Sequence, residues 1–250
     1  MFIAATTNCF RNFPLTQGME KIAELEFSHV ELMFHESNTY LRPSVIVEDL
    51  QGTLRGLKNM HRLIPSVFSL DIDTEDTEEY VRQFVGCCKL AKAMQVVTIA
   101  LRSAPQGFPF NTEVERLRKC VAEASLRGIQ VGLVTEGDRL TEDSEASRTL
   151  CKVVPGLGLT LDPSCYVYHA DGKKTYDSIL DLVCHVRLRD TREDKLQVCV
   201  GQGTLEFGRL ISRLEQLQYR GALSVDILPD DELDVMQEMR KMRLLLESLL

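Results

Sequence analysis

Leu157-Gly158-Leu159-Thr160-Leu161-Asp162 is the stretch on which the fold turns. Successive side chains of a strand point to opposite faces. Leu157, Leu159 and Leu161 therefore share one face, and Gly158, Thr160 and Asp162 the other. The bulky apolar set is the one to meet covering helices, which leaves Asp162 facing inward at the strand's C-terminal end. Working outward, the same division recurs. Val131 and Leu133 face out, with Val134 and Glu136 inward. Leu223, Val225 and Ile227 face out, with Ser224 and Asp226 inward. Val186 and Leu188 face out, so His185, Arg187 and Arg189 point in. Val97, Ile99 and Leu101 send Thr98 and Arg102 inward, and Val30, Leu32 and Phe34 do the same for Glu31, Met33 and His35. A further strand at Ile64–Leu70 shows no clear parity.

Eight such β-rich runs can be read: Phe2–Thr7, Val30–Phe34, Ile64–Leu70, Val96–Leu101, Gln130–Thr135, Leu157–Leu161, His185–Arg189 and Ala222–Leu228. Segments of helical period lie between them, among them Thr77–Met94, Glu113–Arg127, Phe207–Tyr219 and Leu233–Leu249. Pro14 and Pro43 suit the starts of the first two helices, and Gly128 a helix stop. Alternating βα units imply parallel strands joined by helical crossovers. Eight of them in 250 residues match a single (β/α)8 TIM barrel spanning 1–250, an α/β fold. No G-x-G-x-x-G follows the first strand to favour a dinucleotide-binding open sheet.

With 29 basic and 37 acidic residues the net charge is −8, which disfavours a nucleic-acid partner. No apolar run is long enough for a membrane span. The N-terminal MFIAATTNCF lacks a basic n-region and reads as a first strand, so the expected location is cytoplasmic. Eight cysteines without a C-x-x-C pair read as small core residues in place of a metal or disulfide framework.

Six strands thus aim charged or titratable groups at one end of one lumen. Buried charges must pair, bind a metal or face a wet pocket. A structural ion-pair network plugging the barrel is one outcome. A functional pocket is the favoured one, because barrel enzymes place their sites at that end.

The phrases VTEGD (134–138), LTLDPSCY (159–166), HVRLRD (185–190), VGQGTLEFGRL (200–210) and LSVDI (223–227), with HVELMF (29–34) after the first strand, carry a resemblance. Together they resemble the xylose-isomerase-like barrel superfamily of sugar isomerases and epimerases, to which apurinic endonucleases are related. The resemblance implies one divalent cation, Mn²⁺ or Mg²⁺, held by Glu136, Asp162 and Asp226. Asp226 stands where the family has a glutamate, and Cys165 where a histidine often follows D-P-S. Arg187 occupies the usual histidine position, and a guanidinium cannot ligate a metal. That leaves the alternative that no metal is bound and Arg187, set among the three carboxylates, supplies the positive charge.

The function this implies is a sugar or sugar-phosphate isomerase or epimerase, with Glu136 and Asp226 as the proton-moving pair. Arg189 and Arg102 are expected to hold a phosphate or carboxylate tail, with Arg187, Glu31 and His35 as further substrate contacts. The alternatives are a catalytically degenerate barrel that binds a sugar-like ligand or a protein partner and, ranked last, an apurinic endonuclease. The latter needs many histidines, whereas this chain has five, and His61 and His169 have no place near the lumen. Gly201-Gln202-Gly203 reads as a turn or a helix-N-terminal anion site, and 190–195 as a solvated loop over the site. Met236, Met239 and Met242 follow helical spacing as core or interface residues. Leu244–Leu250 fits either packing under the barrel or a contact between copies in a homo-oligomer.

Overall fold

The computed structural model describes residues 1–38, 41–57, 60–168 and 175–250, so His169 lies outside the described residues. Eight strands, β1 (Phe2–Thr6), β2 (His29–His35), β3 (Ile64–Asp71), β4 (Thr98–Arg102), β5 (Gln130–Val134), β6 (Leu157–Leu161), β7 (Val183–Leu188) and β8 (Ala222–Val225), are all parallel. They close in chain order into one barrel, β8 pairing back onto β1. The (β/α)8 expectation holds. Helices Leu15–Glu24, Pro43–Glu48, Leu50–Gly56, Thr77–Ala93, Phe110–Ser125, Ser144–Val153, Phe207–Gln216 and Val235–Leu249 form the outer layer.

Parity decides which core each strand residue enters. Leu32, Phe34, Ile99, Leu101, Leu133, Leu159, Leu161, Val186, Leu188 and Leu223 join the large core between strands and helices. Each such fully buried side chain stabilises by roughly 1.5–3 kcal/mol. Ala4, Val67, Ala100, Val134 and Ala222, on the opposite face, form a separate cluster with Phe2 inside the ring. Small residues dominate it because eight tilted strands leave a lumen only wide enough for side chains to fill.

The helices begin and end where their local chemistry requires. Asp76, Asp143 and Asp234 accept from the first-turn amides of their helices, and Pro43 opens its helix without losing a hydrogen bond. Gly128 takes φ +70° just past Phe110–Ser125, a left-handed conformation that glycine adopts without steric cost and that ends the helix. Met239, Met242 and Leu246 are buried beneath the last helix, whereas Leu244 and Leu250 are half exposed. Five of the eight cysteines are buried, and burial pushes the Cys9 thiol up to about 12. Among the described residues no helix is long and apolar enough to cross a membrane.

Candidate active site

The strands' C-terminal ends open into a cavity of about 1130 Å³, and its polar walls stand in two layers. The lower layer is centred on Glu31, which is fully buried. Its Oε1 accepts from Arg187 Nε at 2.8 Å and Nη2 at 2.5 Å, and its Oε2 meets His185 Nε2 at 2.8 Å. Arg187 also donates to Ser69 Oγ. Burial alone would raise the Glu31 pKa. Arg187, then His185, outweigh that and hold the carboxyl below its ordinary range. Burial likewise opposes the Arg187 charge, and Glu31 restores it.

The upper layer consists of two carboxylate–guanidinium–carboxylate triads, each spread over three consecutive βα units. Arg102 on β4 reaches both neighbours: Nη1 donates to Asp71 Oδ2 at 2.5 Å, and Nε and Nη2 grip Glu136 at 2.8 and 2.6 Å. His35 Nε2 approaches Asp71 at 3.1 Å. The Ser37 amide donates to His35 Nδ1 at 2.9 Å, so the imidazole's own proton lies on Nε2, toward Asp71. Arg189, just past β7, donates from Nη2 to Asp162 Oδ2 at 3.0 Å and to Asp226 Oδ2 at 2.7 Å. The second oxygens are also engaged. Ser164 donates its amide and hydroxyl to Asp162 Oδ1, while Thr6 Oγ1 at 2.6 Å and Asn8 Nδ2 at 3.4 Å donate to Asp226 Oδ1. Each triad sets two carboxylates against one guanidinium and carries one net negative charge.

Glu136, Asp162, Asp226, Arg102, Arg187, Arg189 and His35 all line the cavity. Glu31 lies beneath it and touches the site through Arg187. One expectation needs correction. Arg187 was expected among Glu136, Asp162 and Asp226, but its hydrogen bonds go to Glu31 and Ser69, because it stands two residues deeper than Arg189 on the same strand face. Arg189 and Arg102, expected to hold a substrate's phosphate or carboxylate tail, are each spanned between two carboxylates of the chain itself.

Asp71, Ser69, Thr6 and Asn8 were missed. Asp71 was hidden by a register shift: Val30 pairs with Pro65 but Glu31 with Val67, so Ser66 bulges and the alternation of β3 breaks. Beyond the bulge, Val67, Ser69 and Asp71 do share the lumen face. The glycine turn before Phe207–Gln216 already holds an anion, the chain's own Asp190, whose Oδ2 accepts from Gly201 and Gly203 amides at 2.8 and 3.0 Å. A Cβ on Gly203 would collide with that carboxylate. Asp190 and Thr191 are accordingly buried, so the solvated loop begins at Arg192.

A divalent cation does not fit the donors as they stand. The strand-seven position holds an arginine, Glu136 is gripped by Arg102, and all four oxygens of Asp162 and Asp226 already accept protein hydrogen bonds. Among the described residues no group of three or more His, Cys, Asp or Glu side chains converges to hold a metal ion.

Residues 19–245 match the family model described as xylose isomerase-like TIM barrel. No curated protein matches the chain. Solved structures similar to it include a xylose isomerase domain protein from Alicyclobacillus acidocaldarius, 18% identical with a TM-score of 0.79, covering 100% of this chain and 98% of that one. A D-allulose 3-epimerase from Methylomonas sp. is 15% identical with a TM-score of 0.77 at the same coverage of 100% and 98%. A xylose isomerase-like TIM barrel protein from Mycobacterium smegmatis, in complex with magnesium, is 17% identical with a TM-score of 0.74, again over 100% and 98%. At these identities the likeness is one of fold.

Proposed function

Because the chain belongs to the xylose isomerase-like TIM barrel family, we propose that it is an isomerase or epimerase of a small sugar or sugar phosphate, acting by proton transfer between carboxylates at the barrel mouth. The carrying observation is that Glu136 and Asp226 line one cavity from units five and eight of the ring. Glu136 is the more exposed of the two, its side chain 36% accessible against 3% for Asp226. In this reading Glu136 removes the proton beside the substrate carbonyl and later releases it to water. Asp226, which must first take up a proton from water and give up one of the hydrogen bonds it accepts, returns one on the other side. The enediolate between them carries charge that guanidinium N–H groups at the wall stabilise. Glu136 must yield one of its Arg102 hydrogen bonds to act as base, and Arg102 keeps its hold on Asp71 meanwhile. His35 and Arg187 are proposed as substrate contacts, with Glu31 setting the Arg187 fork.

A second reading keeps the pocket without turnover: a barrel that binds a sugar-like ligand. It is favoured by the engagement of both Glu136 oxygens with Arg102, since a carboxylate so held is a weaker proton acceptor. One experiment separates the two. A panel of aldoses, ketoses and their phosphates is incubated with the protein in D₂O and followed by ¹H NMR. Deuterium entering beside a carbonyl, reduced at least ~100-fold in Glu136→Gln, is the isomerase outcome. Saturable binding of a panel member with no exchange in wild type defeats the isomerase reading and leaves the binding one.

A further inference from the structure

We infer that Arg189 is the resident cation of this barrel: its guanidinium stands between Asp162 and Asp226 in place of a divalent metal, so the chain takes up no catalytic metal. The inference rests on the donor chemistry and stands whether or not the isomerase reading does.

Three observations carry it. The first is position. Asp162 and Asp226 follow β6 and β8, Arg189 follows the strand between them, and a single nitrogen, Nη2, contacts both carboxylates. One positive centre at 2.7 and 3.0 Å from two carboxylate oxygens occupies the point from which a bridging ion would hold them.

The second is saturation. A metal at that point would need oxygen lone pairs facing it. Asp162 Oδ1 is turned to the Ser164 amide and hydroxyl, and Asp226 Oδ1 to Thr6 and Asn8. Only the two Oδ2 atoms face the centre, and Arg189 has both. The third carboxylate, Glu136, belongs to the other triad. An ion would therefore have to displace a buried guanidinium, 8% exposed, and leave that charge without a partner beside a divalent cation.

The third is the remainder of the guanidinium. Nη2 does all of Arg189's bonding. Its Nε is buried without a hydrogen-bond partner, and no hydrogen bond is made by Nη1 among the described residues. Arg189 lines the cavity, so Nη1, and not the buried Nε, is the donor that a ligand carbonyl or hydroxyl oxygen can meet. A metal would offer an open coordination position for the same purpose. The arginine offers N–H donors whose charge does not depend on pH in the ordinary range.

The test is Mn²⁺ titration of chelator-treated protein, read by the loss of the free-ion EPR signal and by thermal unfolding in parallel. Wild type is expected to leave the Mn²⁺ signal free and to show no saturable stabilisation. Arg189→Ala removes the cation and opens the two Oδ2 atoms. It is expected to bind one Mn²⁺ at least about tenfold tighter than wild type, with a stabilisation that Asp226→Asn added to it abolishes. Arg189→Lys keeps a cation there and is expected to behave as wild type. Should Arg189→Ala fail to fold, Arg189→Gln, which retains bulk and hydrogen bonding without charge, takes its place. One equivalent of Mn²⁺ bound by wild type and lost in Asp162→Asn overturns the inference. So does a folded Arg189→Ala or Arg189→Gln with no gain in Mn²⁺ affinity.

Discussion

Glu31 at the floor of the cavity is fully buried and answered by Arg187 and His185, whereas Glu136 at the mouth is about one-third exposed and shares a single guanidinium with Asp71. Both are glutamates fixed by arginine, but their surroundings give them different work. At the floor the charges balance within a dry layer, and removing any partner strands the others away from water. At the mouth two carboxylates compete for each arginine, water reaches the Asp71–Arg102–Glu136 triad while the Asp162–Arg189–Asp226 triad stays nearly as buried as the floor, and an unmet negative charge remains to be satisfied by a ligand's hydroxyl hydrogens. Excess like charge is what a structure selected only for stability avoids. Its retention at the mouth supports the site proposed there, and the balanced charges of the floor support a mainly structural role for that layer.

Arg187→Met should break the floor most severely. Glu31 then keeps only His185 in a fully buried setting, at a cost of roughly 3–5 kcal/mol, or about 6–20 °C in Tm at 2–4 °C per kcal/mol for a chain of this size. Thermal unfolding reads it directly, and a loss under about 1 kcal/mol would contradict a dry floor.

Acidification should act on the same layer. The folded Glu31 pKa lies below its ordinary value of 4.5, so the folded state binds the proton less readily than the unfolded chain. The stability from this group is therefore present in full above that value and is lost as pH falls from it toward the folded pKa. Urea midpoints of wild type should fall across that window, and those of Arg187→Met should fall less steeply because the depression has been removed.

Arg102→Ala tests the mouth with a smaller effect. Its side chain and those of Asp71 and Glu136 are between about one-fifth and one-third exposed, so about 1 kcal/mol is expected. Smaller still is the response to salt. Raising ionic strength to about 1 M shortens the screening length to roughly 3 Å, and should shrink the Arg102→Ala difference while leaving the Arg187→Met difference nearly unchanged. Equal salt sensitivity would erase the distinction between the layers.

The sequence carried the face of most site residues but not their partners. Alternation of Leu157, Leu159 and Leu161 with Asp162 needs only one strand to be read, and the same was true for Glu31, Arg102, His185, Arg187, Arg189 and Asp226. Which of these meet depends on the relative heights of different strands, which the tilt and stagger of the closed barrel set. Arg187 therefore reaches Glu31 across the lumen, from β7 to β2, a pairing 156 residues apart in the chain. Asp71 escaped because the bulge at Ser66 breaks the period of β3. Thr6 escaped because its strand is apolar on both faces before it. The Gly201–Gly203 turn looked able to take an outside anion, and only the fold shows Asp190 brought back to fill it.

The most direct test of the two-layer account is urea unfolding of Glu31→Gln and Glu136→Gln side by side. Each substitution removes one carboxylate charge and almost no volume. Glu31→Gln should lose roughly 3–5 kcal/mol by stranding Arg187 in the dry floor, while Glu136→Gln should stay within about 1 kcal/mol of wild type, since it relieves the mouth of a competing charge. Equal losses, or a greater loss in Glu136→Gln, would contradict the division of the barrel into a structural floor and a functional mouth.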